Sequence, residues 1–377
     1  MNFPMQSRSI KYRFRILITE FIHFVNLFVT SNKKTDIIIT RMDALGDFLV
    51  WLDSMVQIRQ FYQGKNITLI CSGSNQQLAE KSGLFDRIVV IDPKRKKTWF
   101  HMIGLKAEIV LNPITYLAFY QWMTIKAIVA KEKISIAALS GYQGLEEKRF
   151  KKAFTKIIPV PYDHYPENYR SQLFANAITG YKCDKTHLAD ISFMLTEQFF
   201  DIPYFCVNLG ASNIKRMWPF ERFLAVSDFL YEKTGWLCVL IGSPSEVSLS
   251  EQFERTYSHP IRVMTGKTDC SEMITLINNA KLLVGNDTGT LHVAAACQTP
   301  CICVSPVATY ESFTNYRMGY IEDAKILPFT IIADKCPLGY PSCCSCSEEN
   351  LPFACLRSIS SENVCKVIEE TVLANKS

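Results

Sequence analysis

A chain of 377 residues exceeds what one ordinary hydrophobic core holds, so two domains of roughly 150–200 residues each are expected. With 48% hydrophobic and 20% charged residues the chain is globular, which excludes a disordered or collagen-like protein. A net charge of +5 suits an anionic substrate or a membrane surface; it is too weak to imply nucleic acid, and no nucleic-acid-reading motif is present.

Residues 1–33 stand apart. Lys11, Arg13 and Arg15 lead into an apolar stretch from Ile16 to Val29, within which Glu20, His23 and Asn26 share one helical face. The stretch is too short and too interrupted to span a bilayer. A basic start followed by a heavily apolar helix fits docking on a membrane surface, the alternative being a helix packed on its own domain or on a partner.

Residues 34–190 read as a first domain. Strands are expected at Ile37–Thr40, Ile67–Cys71, Arg87–Ile91, Glu108–Leu111 and Ile134–Ala137, alternating with helical or loop segments, the pattern of a parallel sheet covered on both faces. The first helix carries Phe48, Leu49, Leu52, Met55 and Val56 on its apolar face. The run Lys94, Arg95, Lys96, Lys97 is either a solvated loop or a contact for a phosphorylated acceptor. A helix is expected over Arg170–Ile178, and the stretch from Cys183 to Pro203, without strand signals of its own, is the candidate linker.

A second alternating set fills residues 203–358, with strands at Tyr204–Leu209, Leu237–Ile241, Ile261–Met264, Leu282–Val284 and Ile302–Val304. Residues 359–377 close the chain with a helix near Glu362–Ala374. Two such sets suggest two doubly wound α/β domains facing one another across a cleft. Of the fourteen cysteines, those at 71, 206, 238, 297, 301 and 303 lie in apolar runs and read as small buried hydrophobes. No cleavable signal peptide is evident, so a reducing cytoplasm is the default. Cys336, Cys343, Cys344, Cys346 and Cys355, with Cys365 further on, match no standard zinc pattern; a packed loop of reduced thiols is the reading, and structural zinc the alternative.

Chemistry concentrates where strands end. In Arg41-Met-Asp-Ala-Leu-Gly46-Asp47, Gly46 follows a strand and opens a helix, so Asp47 lies in the first helical turn. There a carboxylate can take a proton from an acceptor hydroxyl, or simply complement the helix dipole. The segment Leu209–Pro219 is a strand, a Gly/Ser turn carrying Ser212, Lys215 and Arg216, then a helix; backbone amides and a cation there suit the phosphates of a nucleotide. Two further turns hold Gly242 in Gly-Ser-Pro-Ser-Glu and the sequence Gly266-Lys-Thr-Asp269. The most specific stretch is Leu282–His292, a buried strand followed by Gly-Asn-Asp-Thr-Gly-Thr-Leu-His, where Asp287 or Thr288 can cap a helix and Gly289 lets a ligand approach the backbone. By the crevice rule these turns converge on one site. His292 could equally be a packed structural histidine.

Taken together, these motifs resemble glycosyltransferase family nine, the ADP-heptose:lipopolysaccharide heptosyltransferases and their relatives. The resemblance covers about residues 35–310 and is carried by Arg-x-x-x-Leu-Gly-Asp, Leu-Gly-Ala-Ser with Arg-Met-Trp-Pro, Gly-Ser-Pro-Ser-Glu, Gly-Lys-Thr and Asp-Thr-Gly-x-x-His. It implies a GT-B architecture of two Rossmann-like domains, acceptor on the first and nucleotide sugar on the second. It implies Asp47 as catalytic base, Arg216 or Lys215 as the phosphate cation, and Asp287, Thr288, Gly289 and His292 at the donor sugar and diphosphate. Glu272 lies near a nucleoside-contacting position, about one residue out of register. Arg41 and the 94–97 run are weaker acceptor contacts. The cysteine-rich segment 336–355 departs from the best-known heptosyltransferases and resembles a more divergent branch.

The implied chemistry is direct displacement with inversion at the anomeric carbon, moving heptose or a related sugar from a nucleotide sugar, ADP-linked by preference, to lipopolysaccharide or another anionic glycolipid. No Asp-x-Asp occurs in the chain, so neither a metal-bridged diphosphate nor any other cofactor is expected. The place of work is then the cytoplasmic face of the inner membrane. A nucleotide-sugar epimerase or a non-catalytic sugar-nucleotide binder on the same scaffold are the rivals; the first needs acid and base groups on both faces of the sugar, and the second has no use for Asp47.

Overall fold

The computed structural model describes residues 10–29, 35–92, 100–115, 117–136, 150–160, 165–322, 324–333 and 351–374. The chain divides into two compact units, the first formed by Met1–Phe48, Ser54–His164 and Arg170–Cys183, the second by Leu49–Asp53, Tyr165–Tyr169 and Asp184–Ser377.

The first unit holds strands β1 (Ile37–Arg41), β2 (Ile67–Cys71), β3 (Arg87–Val90), β4 (Lys106–Asn112), β5 (Val129–Ser135) and β6 (Lys156–Ile157) in one parallel sheet of order β3-β2-β1-β4-β5-β6. Every residue of β1 and β2 is buried, as apolar runs covered on both faces demand. The chain winds outward from β1 through β3, returns to the other side of β1 and winds outward again, so the switch point lies between β1 and β4. β5 starts at Val129 rather than at the expected Ile134; exposed Lys131 and Glu132 interrupt its apolar pattern and hide its first half in the sequence.

Among the described residues this unit holds helices α1 (Ile10–Phe28), α3 (Gln76–Ser82) and α4 (Phe119–Ala127) and, apart from Leu49–Asp53, α2 (Leu45–Phe61). In α2 the buried line is Phe48, Trp51, Leu52, Met55 and Ile58; Leu49 is also buried, whereas Val56, expected inside, lies off the line and is exposed. α1 packs on α4 and β5. Its inward face is Ile16, Thr19, Ile22 and Asn26, all buried. Asn26 sits at zero exposure because its amide is fully used: Nδ2 donates to the carbonyls of Met102 and Ala127 (both 2.9 Å), and Oδ1 accepts from Gly104 N–H (2.7 Å). The last helix assigned to this unit, α5 (Glu167–Thr179), begins three residues before the expected Arg170.

The second unit repeats the topology. β7 (Tyr204–Asn208), β8 (Leu237–Ile241), β9 (Ile261–Val263), β10 (Leu282–Asn286), β11 (Cys301–Val304) and β12 (Phe329–Ile331) form a parallel sheet of order β12-β11-β10-β7-β8-β9. Its switch point lies between β7 and β10. Helices α6 (Phe220–Thr234), α7 (Val247–Thr256), α8 (Cys270–Asn279) and α9 (Gly289–Ala296) connect the strands, and α10 (Ala354–Ser358) and α11 (Ser361–Ile368) follow. The core between sheet and helices includes Phe205, Trp218, Phe223, Phe253 and, from the C-terminal segment, Leu356 and Val364. The expected terminal helix is therefore part of this core.

Cys71, Cys206, Cys238, Cys301 and Cys303 are buried and Cys297 is half-buried. Burial pushes the Cys71 thiol up to about 12, so it is an inert apolar group at neutral pH. Cys355 is buried, whereas Cys336, Cys343, Cys344 and Cys346 lie outside the described residues. Among the described residues no group of three or more His, Cys, Asp or Glu side chains is placed to hold a metal ion.

Candidate active site

The turn after β1 is built around a buried arginine. Arg41 has zero exposure; its guanidinium donates to the carbonyls of Pro113 (3.1 Å) and Asp47 (2.5 Å) and pairs with Asp43 (3.2 Å). The expectation that Arg41 meets an acceptor is thereby corrected: a side chain closed off from solvent and engaged with backbone carbonyls fixes the turn instead. Below it, Thr40 donates to Asn112 Oδ1 (2.9 Å) and Asn112 donates to Ser135 Oγ (2.9 Å), a buried polar tie across β1, β4 and β5. Asp47 occupies the third position of α2, half-buried, and its carboxylate accepts from Ala44 N–H (3.3 Å). Tyr120 donates to the carbonyl of Met42 (3.0 Å); burial, then the charges of Asp43 and Asp47, push its hydroxyl up to about 12, so it stays protonated. Lys94, Arg95, Lys96 and Lys97 lie outside the described residues.

In the second unit the expected turns do come together. Asn286, at the end of β10, donates to the carbonyls of Leu209 (2.9 Å) and Gly210 (3.2 Å) and accepts from Trp218 N–H (2.7 Å), which ties the turn after β7 to the end of β10. Asn208, at the end of β7, accepts from the hydroxyls of Thr288 (2.9 Å) and Thr290 (3.3 Å). Gly285 allows this approach, since a Cβ there would stand 3.3 Å from Asn208 Cβ. Thr288 is the N-cap of α9 but makes no side-chain capping bond; its hydroxyl is committed to Asn208, which differs from the capping role expected from sequence.

Arg216 crosses from the β7 turn to pair with Asp287 (2.6 Å) and also donates to the Asp287 carbonyl (2.8 Å). Asp287 is only 2% exposed, and Thr309 donates to the same carboxylate (2.5 Å). Asp287 therefore faces inward, and it holds Arg216, which keeps 25% of its side chain in solvent. A buried carboxylate beside a diphosphate would repel it unless neutralised in this way. Lys215 is half-buried, and its ammonium makes no ion pair or hydrogen bond among the described residues. Its backbone carbonyl accepts from Phe353 N–H (2.9 Å), so the C-terminal segment steadies the cationic turn. Ser212 is exposed on the same turn.

His292 is buried in α9, with Nδ1 2.5 Å from the Tyr316 hydroxyl. Burial, with help from the Arg216 charge and against that of Asp287, lowers the imidazole to about 4. It is neutral at pH 7. Burial also raises the Tyr316 hydroxyl, so Tyr316 is assigned as donor to Nδ1 and the imidazole proton to Nε2.

Two side chains differ from or add to the sequence expectation. Glu272 is the third residue of α8, and its carboxylate accepts from Asp269 N–H (2.8 Å) while Asp269 caps Glu272 N–H (2.9 Å); the reciprocal cap occupies it. Glu246, unassigned from sequence, accepts from Ser243 N–H (2.6 Å) and reaches into the space that Cβ atoms on Gly210 and Gly242 would fill, 1.9 and 2.3 Å from its carboxylate oxygens. The turns after β7 and β8 thus share one carboxylate. Its signal was local, Ser-x-x-Glu at a strand end. Thr309 and Tyr316, by contrast, act from a distant segment and had no motif.

Residues 148–317 match the family model described as glycosyltransferase family 9 (heptosyltransferase). Over that stretch, somewhat under half of its length, the chain resembles glycosyltransferase family 9. It is 30% identical over 194 residues to lipopolysaccharide heptosyltransferase 3 of Escherichia coli strain K12, a match spanning 48% of this chain and 55% of that relative, about half its length. Among solved structures it is similar to a family 9 glycosyl transferase from Veillonella parvula (TM-score 0.66, 19% identity, 92% of this chain and 99% of that one). It is also similar to E. coli heptosyltransferase WaaC with ADP-2-deoxy-2-fluoro heptose (TM-score 0.65, 15% identity, 89% and 99%). At these identities the solved structures establish the fold, and the family-like chain contains the two doubly wound parallel sheets that its sequence implies.

Proposed function

We propose that the protein is an inverting glycosyltransferase that moves heptose or a related sugar from an ADP-sugar to a hydroxyl of lipopolysaccharide or a similar anionic glycolipid at the cytoplasmic face of the inner membrane. The observation that carries this reading is the Arg216–Asp287 pair, which fixes a cation beside the opening of α9 at the switch point of the second sheet. Lys215, the exposed edge of Arg216 and the first amides of α9 would meet the diphosphate and stabilise it as leaving group. Ser212, Gly242 and Gly289 line the turns against which the nucleotide and donor sugar would lie. His292, being neutral, would hold its neighbour Tyr316 and the first turn of α9 in place rather than supply charge.

Asp47 would take the proton of the acceptor hydroxyl as it attacks the anomeric carbon. The turn around it supports this: Arg41 is committed to the backbone and Asp43, and Asp47 stands on the first turn of α2 at the switch point of the first sheet. With Asp47 in the first unit, the acceptor domain is assigned to residues 34–190 and the donor domain to 203–358. The test is turnover of a panel of ADP- and other nucleotide sugars with lipopolysaccharide acceptors by wild type and Asp47→Ala, reading product stereochemistry by NMR. Transfer with inversion, lost in Asp47→Ala while donor binding persists, supports the proposal. Retention of configuration, or unchanged turnover in the variant, refutes it.

A further inference from the structure

We infer that α1 docks the first unit on an anionic lipid surface, lying in the plane of the interface with its phenylalanine face in the lipid. The inward face of the helix is closed by Ile16, Ile22 and the fully bonded Asn26. The outward face is Phe14, Leu17, Phe21, Phe24 and Phe28, spaced three and four residues apart, and each of these side chains is 58–71% exposed. The rings of Phe24 and Phe28 lie 5.0 Å apart. Asn26 binds the turn at Met102 and Gly104, a segment that itself exposes Phe100 (70%) and Ile103 (40%). Five large apolar side chains exposed along one helix face mark an interaction site.

Charge decides what the partner is. Residues 1–34 contain six Lys/Arg (8, 11, 13, 15, 33, 34) and one acid, Glu20, so they carry the entire formal charge of +5 and the rest of the chain is neutral. Glu20 is itself paired with Lys126. Aromatic and aliphatic side chains on one face, with cations at both ends of the helical segment, are the features of an interfacial helix on anionic headgroups. A second copy of the helix is a poorer fit. Four of the five stripe positions are Phe rather than the Leu, Ile or Val that a coiled-coil seam packs, and the flanking positions 18, 20, 25 and 27 hold one charge, so no pairing code exists. No helix among the described residues is long and apolar enough to cross a membrane, which leaves in-plane docking.

This inference goes beyond sugar transfer and stands without it. Because Ile16 and Ile22 belong to the core of the first unit, deleting the helix would disturb that core, and exposed-face substitutions are the cleaner test. The full-length protein is sedimented with vesicles of phosphatidylcholine alone or mixed with phosphatidylglycerol, for wild type and for Phe21→Ser/Phe24→Ser. Wild type should pellet with the anionic vesicles, less so at high salt. The double variant should partition about 100-fold more weakly, at an unchanged melting temperature. Should that variant melt early, Phe14→Ser/Leu17→Ser provides the same reading from the other end of the stripe. Failure of wild type to bind anionic vesicles, or equal binding by folded variants, overturns the inference. So does a wild-type dimer that the substitutions dissociate, since the face would then belong to a second copy.

Discussion

The turns after β1 and β10 solve one problem with opposite signs. After β1 a fully buried cation, Arg41, is engaged with backbone carbonyls and Asp43, and the half-buried group at the surface of the turn is the carboxylate of Asp47. After β10 a buried anion, Asp287, is engaged with Thr309 and Arg216, and the group left partly in solvent is the Arg216 guanidinium. In each, an inward ion orders the turn and an ion of opposite sign stays partly in solvent. The proposed inverting transfer would use these two charges as base and leaving-group cation.

The largest expected break is on the first side. Asp47→Ala should lower kcat by about 10²–10⁴-fold with little change in donor affinity, measured by steady-state kinetics beside a binding titration. On the second side the two partners should be unequal. Arg216→Ala strands a 2%-exposed carboxylate and should cost about 3 kcal/mol in urea unfolding. Asp287→Ala strands only a cation that is already partly hydrated and should cost about 1–2 kcal/mol. The reverse order would mean that the inward ion is not Asp287.

A third effect follows from His292. Its folded value, about 4, lies below the ordinary 6.5, so the unfolded chain binds more protons between those two values. Stability supplied by the neutral imidazole is complete above pH 6.5 and is lost as pH falls toward 4, by up to about 3 kcal/mol. His292→Gln, which keeps a polar partner for Tyr316, should flatten that slope in pH-dependent melting; an unaltered slope would assign the acid sensitivity elsewhere. The smallest effect is Gly285→Ala, whose methyl would press on Asn208 at 3.3 Å and should cost about 1 kcal/mol, together with a modest loss of donor affinity.

Sequence exposed what is local. Buried apolar runs marked ten of the strands, and the strand-end turns with Asp47, Arg216 and Asp287 could be read because each lies within a few residues of its strand. Two short strands, Lys156–Ile157 and Phe329–Ile331, are too brief to show a period and were not expected. What sequence could not show was which partner an ion takes. Arg41 and Glu272 looked like ligand contacts, yet one lies inward under its turn and the other serves a helix cap. Thr309 and Tyr316 complete the site from a segment with no motif, because only the fold brings them to Asp287 and His292. The polar residues of α1 illustrate the same limit: Asn26 shares a helical face with Glu20, but backbone groups at 102, 104 and 127 make burying it favourable.

The proposed site for the nucleotide diphosphate sugar is the pair of turns after β7 and β10. It is tested most directly by calorimetric titration of ADP-heptose into the full chain and into Lys215→Ala, a variant whose lost ammonium has no partner to strand among the described residues. Saturable binding to wild type is expected, about tenfold weaker in the variant and unchanged in Asp47→Ala. Absence of binding by ADP-heptose and every other nucleotide sugar, with the protein folded, would contradict it and leave the Arg216–Asp287 pair as a structural clasp alone.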